Sequence, residues 1–297
     1  MRTARCRICG ERVRRDRLDS HMRAVHRKGR ELEIVPLAAA IAAIVAVTVV
    51  AIWLMRQTDQ PEENGTGPVD PGAESVQFNT DDGWIIRGSY HRGNQSMPVV
   101  VLVPGVGEGR QAFGPLKDEL LARGYNVLAY DSRGAGQSVF QDGRKRVWQD
   151  LTDADFQAGT KDVASAWQYA RAKFLNAPYV AVIGASLGAN QALASTAADT
   201  APELKALVLL SAGSEYRGIA SRPAIETLNN RTVRPSIFFA ASQGEPSAGP
   251  VAQSLNQSYA GKKSLELLTG GGHGTTLLTY PGFRTQIVQF LDDAFRR

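Results

Sequence analysis

The chain has 297 residues and a formal net charge of +5, enough for one sizeable core with extras. The charge is lopsided: residues 1–33 hold 11 Lys/Arg against 5 Asp/Glu, a net of +6, so the remainder sums to −1 and has no basic character of its own. Both cysteines, Cys6 and Cys9, lie in that first segment, which excludes disulfides from the rest of the chain.

Residues 1–33 carry Cys6-x2-Cys9, then 11 residues, then His21-x4-His26. Two thiolates and two imidazoles at such spacing can close a tetrahedral zinc site. The segment resembles a two-cysteine, two-histidine zinc finger, with Val13 and Leu18 where that family keeps its core hydrophobes. It departs from the family in a central spacer one residue short of 12 and in valine at a place usually aromatic. So short a segment has almost no core, so structural zinc on Cys6, Cys9, His21 and His26 would have to supply its folding energy. Thiols used this way imply a reducing compartment.

Residues 34–54, IVPLAAAIAAIVAVTVVAIWL, carry no charge. As a helix they would extend roughly 30 Å, the thickness of a bilayer core. Trp53 marks one end, and Pro36 falls in the first turn, where a helix accepts it. Arg and Lys crowd the N-terminal flank, while Asp59, Glu62 and Glu63 lie beyond the other end. The pattern predicts a single-pass membrane anchor with a cytoplasmic N-terminus and an extracytoplasmic C-terminal domain. A cleaved signal peptide fits less well, because the basic region ahead is long and itself patterned. Residues 55–75 are rich in Pro, Gly and acids and read as a flexible linker.

From 76 to 297 the pattern is that of a folded domain. Val76–Thr80 and Trp84–Tyr90 flank Asp81-Asp82-Gly83 and read as a hairpin. Further strands are expected at Pro98–Val103, Asn126–Tyr130, Tyr179–Ile183, Ala206–Leu210, Ser236–Ala240 and Ser264–Leu268. Helices are expected at Ala112–Arg123, Asp155–Phe174, Val251–Ala260 and Phe283–Phe295. An antiparallel start and then alternating strands and helices predict an α/β fold, a mostly parallel sheet with helices on both faces. Sites in such sheets lie at the carboxyl ends of the strands. There the sequence VAVIGASLGANQAL reads as strand, tight turn and helix, with Gly184-Ala185-Ser186-Leu187-Gly188 at the turn. A serine on such a strained turn projects its hydroxyl above the sheet, which makes Ser186 a candidate nucleophile.

Four features together resemble the α/β-hydrolase superfamily. They are Pro104-Gly105-Val106-Gly107, Asp131-Ser132-Arg133-Gly134-Ala135-Gly136-Gln137-Ser138, the turn at Ser186, and Gly272-His273-Gly274. The look is that of small lidless esterases, similar to the dienelactone hydrolase or serine-aminopeptidase branches. The resemblance implies a Ser-His-acid triad acting through an acyl-enzyme, with His273 as the base. It places the acid after the strand Ser236–Ala240, where Glu245 stands in a position usually held by Asp, while Glu215 after the preceding strand remains an alternative. It also implies an oxyanion hole from the Leu187 and Val106 N–H groups. Asp131 and Arg133 read as braces of their turn, and His91 as a surface residue. Val139–Asp155 reads as a surface loop, with the alternative that Trp148 rims the pocket. Ala212 to Pro235 is too short for a large cap.

The expected function is a membrane-anchored serine hydrolase acting on a small-molecule ester, or a thioester or amide. The competing expectation is an inactive hydrolase-fold binding or signalling protein coupled to the cytoplasmic finger. Tethering at a membrane argues against nucleic acid as the finger's partner, leaving a cytoplasmic protein or anionic lipid.

Overall fold

The computed structural model describes residues 3–7, 9–22, 72–173, 177, 179–199, 201, 203–270 and 272–296. They fall into two compact units, 1–63 and 64–297. Residues 34–54, where the membrane span is expected, lie outside the described residues, as do His26 and most of the linker. Among the described residues no helix is long and apolar enough to cross a membrane.

In the first unit, β1 (Thr3–Arg5) and β2 (Arg12–Arg14) form an antiparallel hairpin. Its loop is closed by the Cys6 N–H on the Glu11 carbonyl and the Gly10 N–H on the Cys6 carbonyl, with Gly10 at φ +74°. Val13 and Leu18, the two expected core positions, are half-buried.

The second unit begins with the antiparallel pair β3 (Glu74–Asn79) and β4 (Trp84–His91). Glu74 and Ser75, expected in the linker, are already paired with Tyr90 and Ser89, so the strand starts two residues early. Then come β5 (Val99–Val103), α1 (Gly114–Ala122), β6 (Asn126–Tyr130), β7 (Phe140–Gln141) and β8 (Arg144–Lys145). After them lie α2 (Asp153–Gln157), α3 (Thr160–Lys173), β9 (Val180–Ala185), α4 (Leu187–Ala198) and β10 (Leu204–Leu210). The chain continues through β11 (Glu215–Tyr216), β12 (Ile219–Ala220), α5 (Ser221–Asn229), β13 (Ser236–Ser242), α6 (Gly249–Ser258), β14 (Lys263–Leu268) and α7 (Phe283–Phe295).

One sheet runs β14-β13-β10-β9-β5-β6-β4-β7-β8, with β3 on the free side of β4. The six strands from β14 to β6 are parallel, and β4 joins β6 antiparallel. Alternation explains why these strands are apolar throughout. Val99, Val101 and Val103 face the core under α3, α4, α5 and α6, while Val100 and Leu102 face the core under α1 and α7. Strands covered on both faces have no solvent side to carry polar residues.

Three further expectations are corrected. The single helix expected over Asp155–Phe174 is two helices. A capping box between Thr152 and Asp155 starts α2 early, and the chain breaks at Gly159, where a Cβ would lie 2.1 Å from the Gln191 amide. The segment after Val139 is more than a surface loop, because β7 extends the sheet by pairing with β4 at Trp84 and Ile85. His91 is buried at the end of β4, because its strand partners Val127.

Candidate active site

The parallel strands β9, β10 and β13 end on the same side, and the site is built from the turns and loops at those ends. β9 stops at Ala185, and Ser186 takes φ +56° and ψ −126° before α4 begins. That backbone costs a non-glycine residue on the order of 1–3 kcal/mol. The turn is held by the Ser186 N–H on the Leu210 carbonyl at 2.8 Å. The flanking glycines have steric causes. A Cβ on Gly184 would lie 2.4 Å from the Gly188 carbonyl oxygen, and one on Gly188 would lie 2.3 Å from that of Pro104.

His273 comes after β14, between Gly272 at φ +80° and Gly274 at φ +57°. Its Nε2 lies 2.7 Å from Ser186 Oγ. Its Nδ1 is hydrogen-bonded to Glu245 Oε1. The imidazole is 42% exposed and the Glu245 side chain 15%, so the chain of three leads from a sheltered carboxylate to an open surface. The Tyr216 ring meets His273 edge-on at 6.3 Å. Glu215, the alternative acid, is exposed in the β11–β12 ribbon and paired there with Ala220, while the imidazole bonds Glu245.

Glu245 is held by two hydroxyls besides. Ser247 Oγ donates to Oε1 at 3.0 Å, and Ser211 Oγ donates to Oε2 at 3.1 Å. Ser211 is fully buried, has φ +54°, and also accepts the Gly274 N–H at 3.0 Å. It therefore ties the acid to the histidine loop. The reading of the sequence missed it, although a signal was present: Ser211-Ala212-Gly213 after β10 repeats the Ser-x-Gly of Ser186-Leu187-Gly188 after β9.

The Val106 and Leu187 N–H groups, like those of the adjoining Gly107 and Gly188, have no acceptor among the described residues. Leu187 opens α4, whose N-terminal end favours negative charge. Trp148 packs on the Val106 loop, its ring 2.7 Å from where a Cβ of Gly107 would stand, and is 36% exposed. The 212–235 segment folds as β11, β12 and α5, pinned to α4 by Asn190 Nδ2 on the Gly213 and Ile219 carbonyls.

Asp131 and Arg133 are engaged by other partners. Asp131 receives Arg110 Nε at 3.0 Å and Nη2 at 2.7 Å and the Gln137 N–H at 2.9 Å. Arg133, 2% exposed, bonds Asp162, Asp82 and the carbonyls of Asp155 and Ala158.

The sheet order, the positive-φ serine between strand and helix, and the histidine after the last strand decide the architecture. Residues 72–296 have an α/β-hydrolase fold. Residues 94–236 match the family described as serine aminopeptidase, S33. The chain is 28% identical over 200 residues to the uncharacterized protein YfhR of Salmonella typhi, covering 60% of this chain and 64% of that protein. The chain thus spans less than two thirds of the length of the curated relatives it matches. The Pyrococcus furiosus esterase Pf2001 superposes with a TM-score of 0.60 at 18% identity, covering 77% of this chain and 95% of that one. A dienelactone hydrolase from Anabaena variabilis does so with a TM-score of 0.56 at 17% identity, covering 76% and 98%. Est1E of Butyrivibrio proteoclasticus, solved with ferulic acid, gives 0.58 at 13% identity, covering 75% and 100%.

In the first unit the ligand atoms of Cys6, Cys9 and His21 all lie within 4.8 Å of one another, with Cys9 Sγ 3.3 Å from His21 Nε2. The edges of a tetrahedral zinc site with thiolate and imidazole ligands are about 3.3–3.8 Å, and the Cys9–His21 separation matches such an edge.

Proposed function

We propose that the hydrolase domain cleaves a carboxylic ester by a serine mechanism, with Ser186 as nucleophile, His273 as base and Glu245 as acid. The observation that carries this reading is the hydrogen-bonded series Glu245–His273–Ser186, which ends on a half-buried serine at the carboxyl end of β9. A serine hydroxyl is a weak nucleophile until a base takes its proton. His273 Nε2 takes the Ser186 proton as Oγ bonds to the acyl carbon, and the carbonyl oxygen becomes an oxyanion. The Val106 and Leu187 N–H groups receive that oxygen, each donor lowering the barrier by about 3 kcal/mol. Collapse breaks the ester C–O bond, and the imidazolium returns its proton to the leaving alkoxide. Water then attacks the acyl-enzyme with His273 again as base, releasing the acid and restoring Ser186. Glu245 holds the Nδ1–H, fixes the tautomer and stabilises the imidazolium. A thioester or amide would pass through the same steps with a different leaving group.

The reading extends to the rest of the chain. Residues 34–54 anchor the protein as a single span with its N-terminus in the cytoplasm and the hydrolase domain outside. Cys6, Cys9 and His21, with His26 as fourth ligand, hold a structural zinc in the first unit. Bound zinc there supplies folding energy to a segment with almost no core. A cytoplasmic protein or anionic lipid is the partner of that basic unit.

The test is labelling of the full chain in detergent with a fluorescent fluorophosphonate, alongside turnover of p-nitrophenyl esters of rising chain length. Wild type takes label and turns over, while Ser186→Ala and His273→Ala lose both. A folded wild-type chain with neither label nor turnover would sink the enzyme reading.

A further inference from the structure

The loop after β5 would present the Val106 N–H to the reacting carbonyl, and an amide presented for that purpose must be held by something. A trans peptide points its C=O and the next N–H in opposite directions. The Gly105 carbonyl is engaged by the Glu108 N–H at 3.2 Å and, as the longer arm of a shared bond, by the single Ser132 hydroxyl proton at 3.3 Å. Those two donors fix the 105–106 peptide and so aim the Val106 N–H the other way. The preceding peptide is fixed by a side chain, because the Gly105 N–H donates to Glu108 Oε2 at 2.9 Å. The other oxygen, Oε1, receives Thr275 Oγ1 at 3.2 Å, two residues past His273. The Glu108 carbonyl in turn accepts Ser132 Oγ at 2.9 Å. The loop is also squeezed: a Cβ on Gly105 would lie 3.0 Å from Glu108 Oε2 and 3.4 Å from the Ser186 Cβ.

We propose that Glu108 is the positioning residue of the oxyanion loop. Its carboxylate clasps the Gly105 N–H and the Thr275 hydroxyl, which locks the loop that carries Val106 to the loop that carries His273. The carboxylate touches no reacting atom; it acts through the Val106 amide, so its loss falls on the transition state and not on ground-state binding. This rests on the serine-hydrolase reading above.

The experiment compares wild type, Glu108→Ala and Glu108→Gln as full chains in detergent, with p-nitrophenyl butyrate as substrate. Loss of one well-aimed oxyanion donor typically costs about 100-fold in kcat. Glu108→Ala is expected to lose about that much in kcat with KM within about threefold of wild type. Glu108→Gln, which keeps an oxygen for the Gly105 N–H, is expected to recover at least about tenfold of the loss. The melting temperatures of wild type and Glu108→Gln should agree, so that recovery does not depend on Glu108→Ala being well folded. An active wild type whose Glu108→Ala keeps its kcat, or whose Gln variant does no better than Ala, would overturn the assignment. A wild type without label or turnover removes the hydrolase reading itself, and this proposal with it.

Discussion

Two clusters of charged side chains lie past the strands of the parallel run, one after β6 at its edge and one after β9, β13 and β14, and they differ in how completely their polar atoms are used. The charged groups of Arg133, 2% exposed, and Asp162, 4% exposed, are answered within the protein, and only the neighbouring Trp84 indole N–H has no partner there among the described residues. The guanidinium reaches two carboxylates and two carbonyls and also lies over the Trp84 ring at 5.5 Å. Around Ser186 the saturation stops short of the surface. Glu245 is answered by His273, Ser211 and Ser247, while the Val106 and Leu187 N–H groups have no acceptor among the described residues. Both clusters pair carboxylates with cations or potential cations. A saturated cluster holds the fold, and one that leaves donors unanswered can do chemistry.

The largest effect that would sharpen this contrast is the loss of the acid. Glu245→Ala should lower kcat by roughly 10^4-fold, as removal of a triad acid does elsewhere. Glu215→Ala should stay within about twofold of wild type, its carboxylate being exposed in the β11–β12 ribbon. Steady-state ester hydrolysis reads both, and equal losses in the two variants would refute the assignment of Glu245. In the other cluster the damage should fall on stability. Burial pushes the Asp162 carboxyl up and the Arg133 guanidinium pulls it back. Arg133→Met strands that carboxylate at a cost of about 3–5 kcal/mol, read as a drop in the denaturant midpoint. Adding Asp162→Leu should return much of it. A midpoint unmoved by Arg133→Met would mean that the buried pair contributes nothing to the fold.

A smaller effect tests the border between support and chemistry. Ser211→Ala removes one hydrogen bond to a charged group without altering the left-handed backbone, so kcat/KM should fall about 10-fold. Ser247→Ala, at the solvent side of the same carboxylate, should cost less. If Ser211→Ala matched wild type, the tie between the acid and the histidine loop would be without consequence.

Much of this was legible in the residues themselves. The apolar runs 99–103 and 180–185 could only be strands covered on both faces, and Phe283–Phe295 ends where its periodicity ends. Glycine spacing marked Ser186, while His273 and Glu245, now seen hydrogen-bonded in series with it, came from the resemblance to α/β-hydrolases, which left Glu215 open as the acid. The helix break at Gly159 was hidden because its cause lies across the interface, in Gln191. Ser211, Glu108 and Ser132 were hidden for a related reason. Their roles depend on hydrogen bonds to residues 24 to 167 positions away, such as Thr275 on Glu108, and only Ser211 carries a local signal, its Ser-x-Gly. His91 reads as a surface residue by type alone, and its burial comes from the neighbouring strand β6.

The smallest effect separates the two clusters by pH. Arg146 reaches Asp155 with both terminal nitrogens at 2.9 Å and lies over Trp84 at 5.8 Å, at the outer edge of the saturated cluster. The Arg146 guanidinium, helped by Thr152, holds the Asp155 carboxyl well below the usual carboxylate range. A carboxyl depressed in the folded state stabilises the fold above its unfolded pKa of about 3.9. That contribution fades as the pH falls toward the folded value. The melting temperature of Arg146→Gln should therefore lie below that of wild type at pH 7, by an amount set by a half-buried pair worth at most about 1 kcal/mol. The gap should persist down to about pH 4 and close below it, as Asp155 takes up its proton in both proteins. It should also shrink in high salt. A gap that stays constant into acid would assign the loss to the Arg146 packing on Trp84, and the ion pair would then be a passenger at the edge of the cluster.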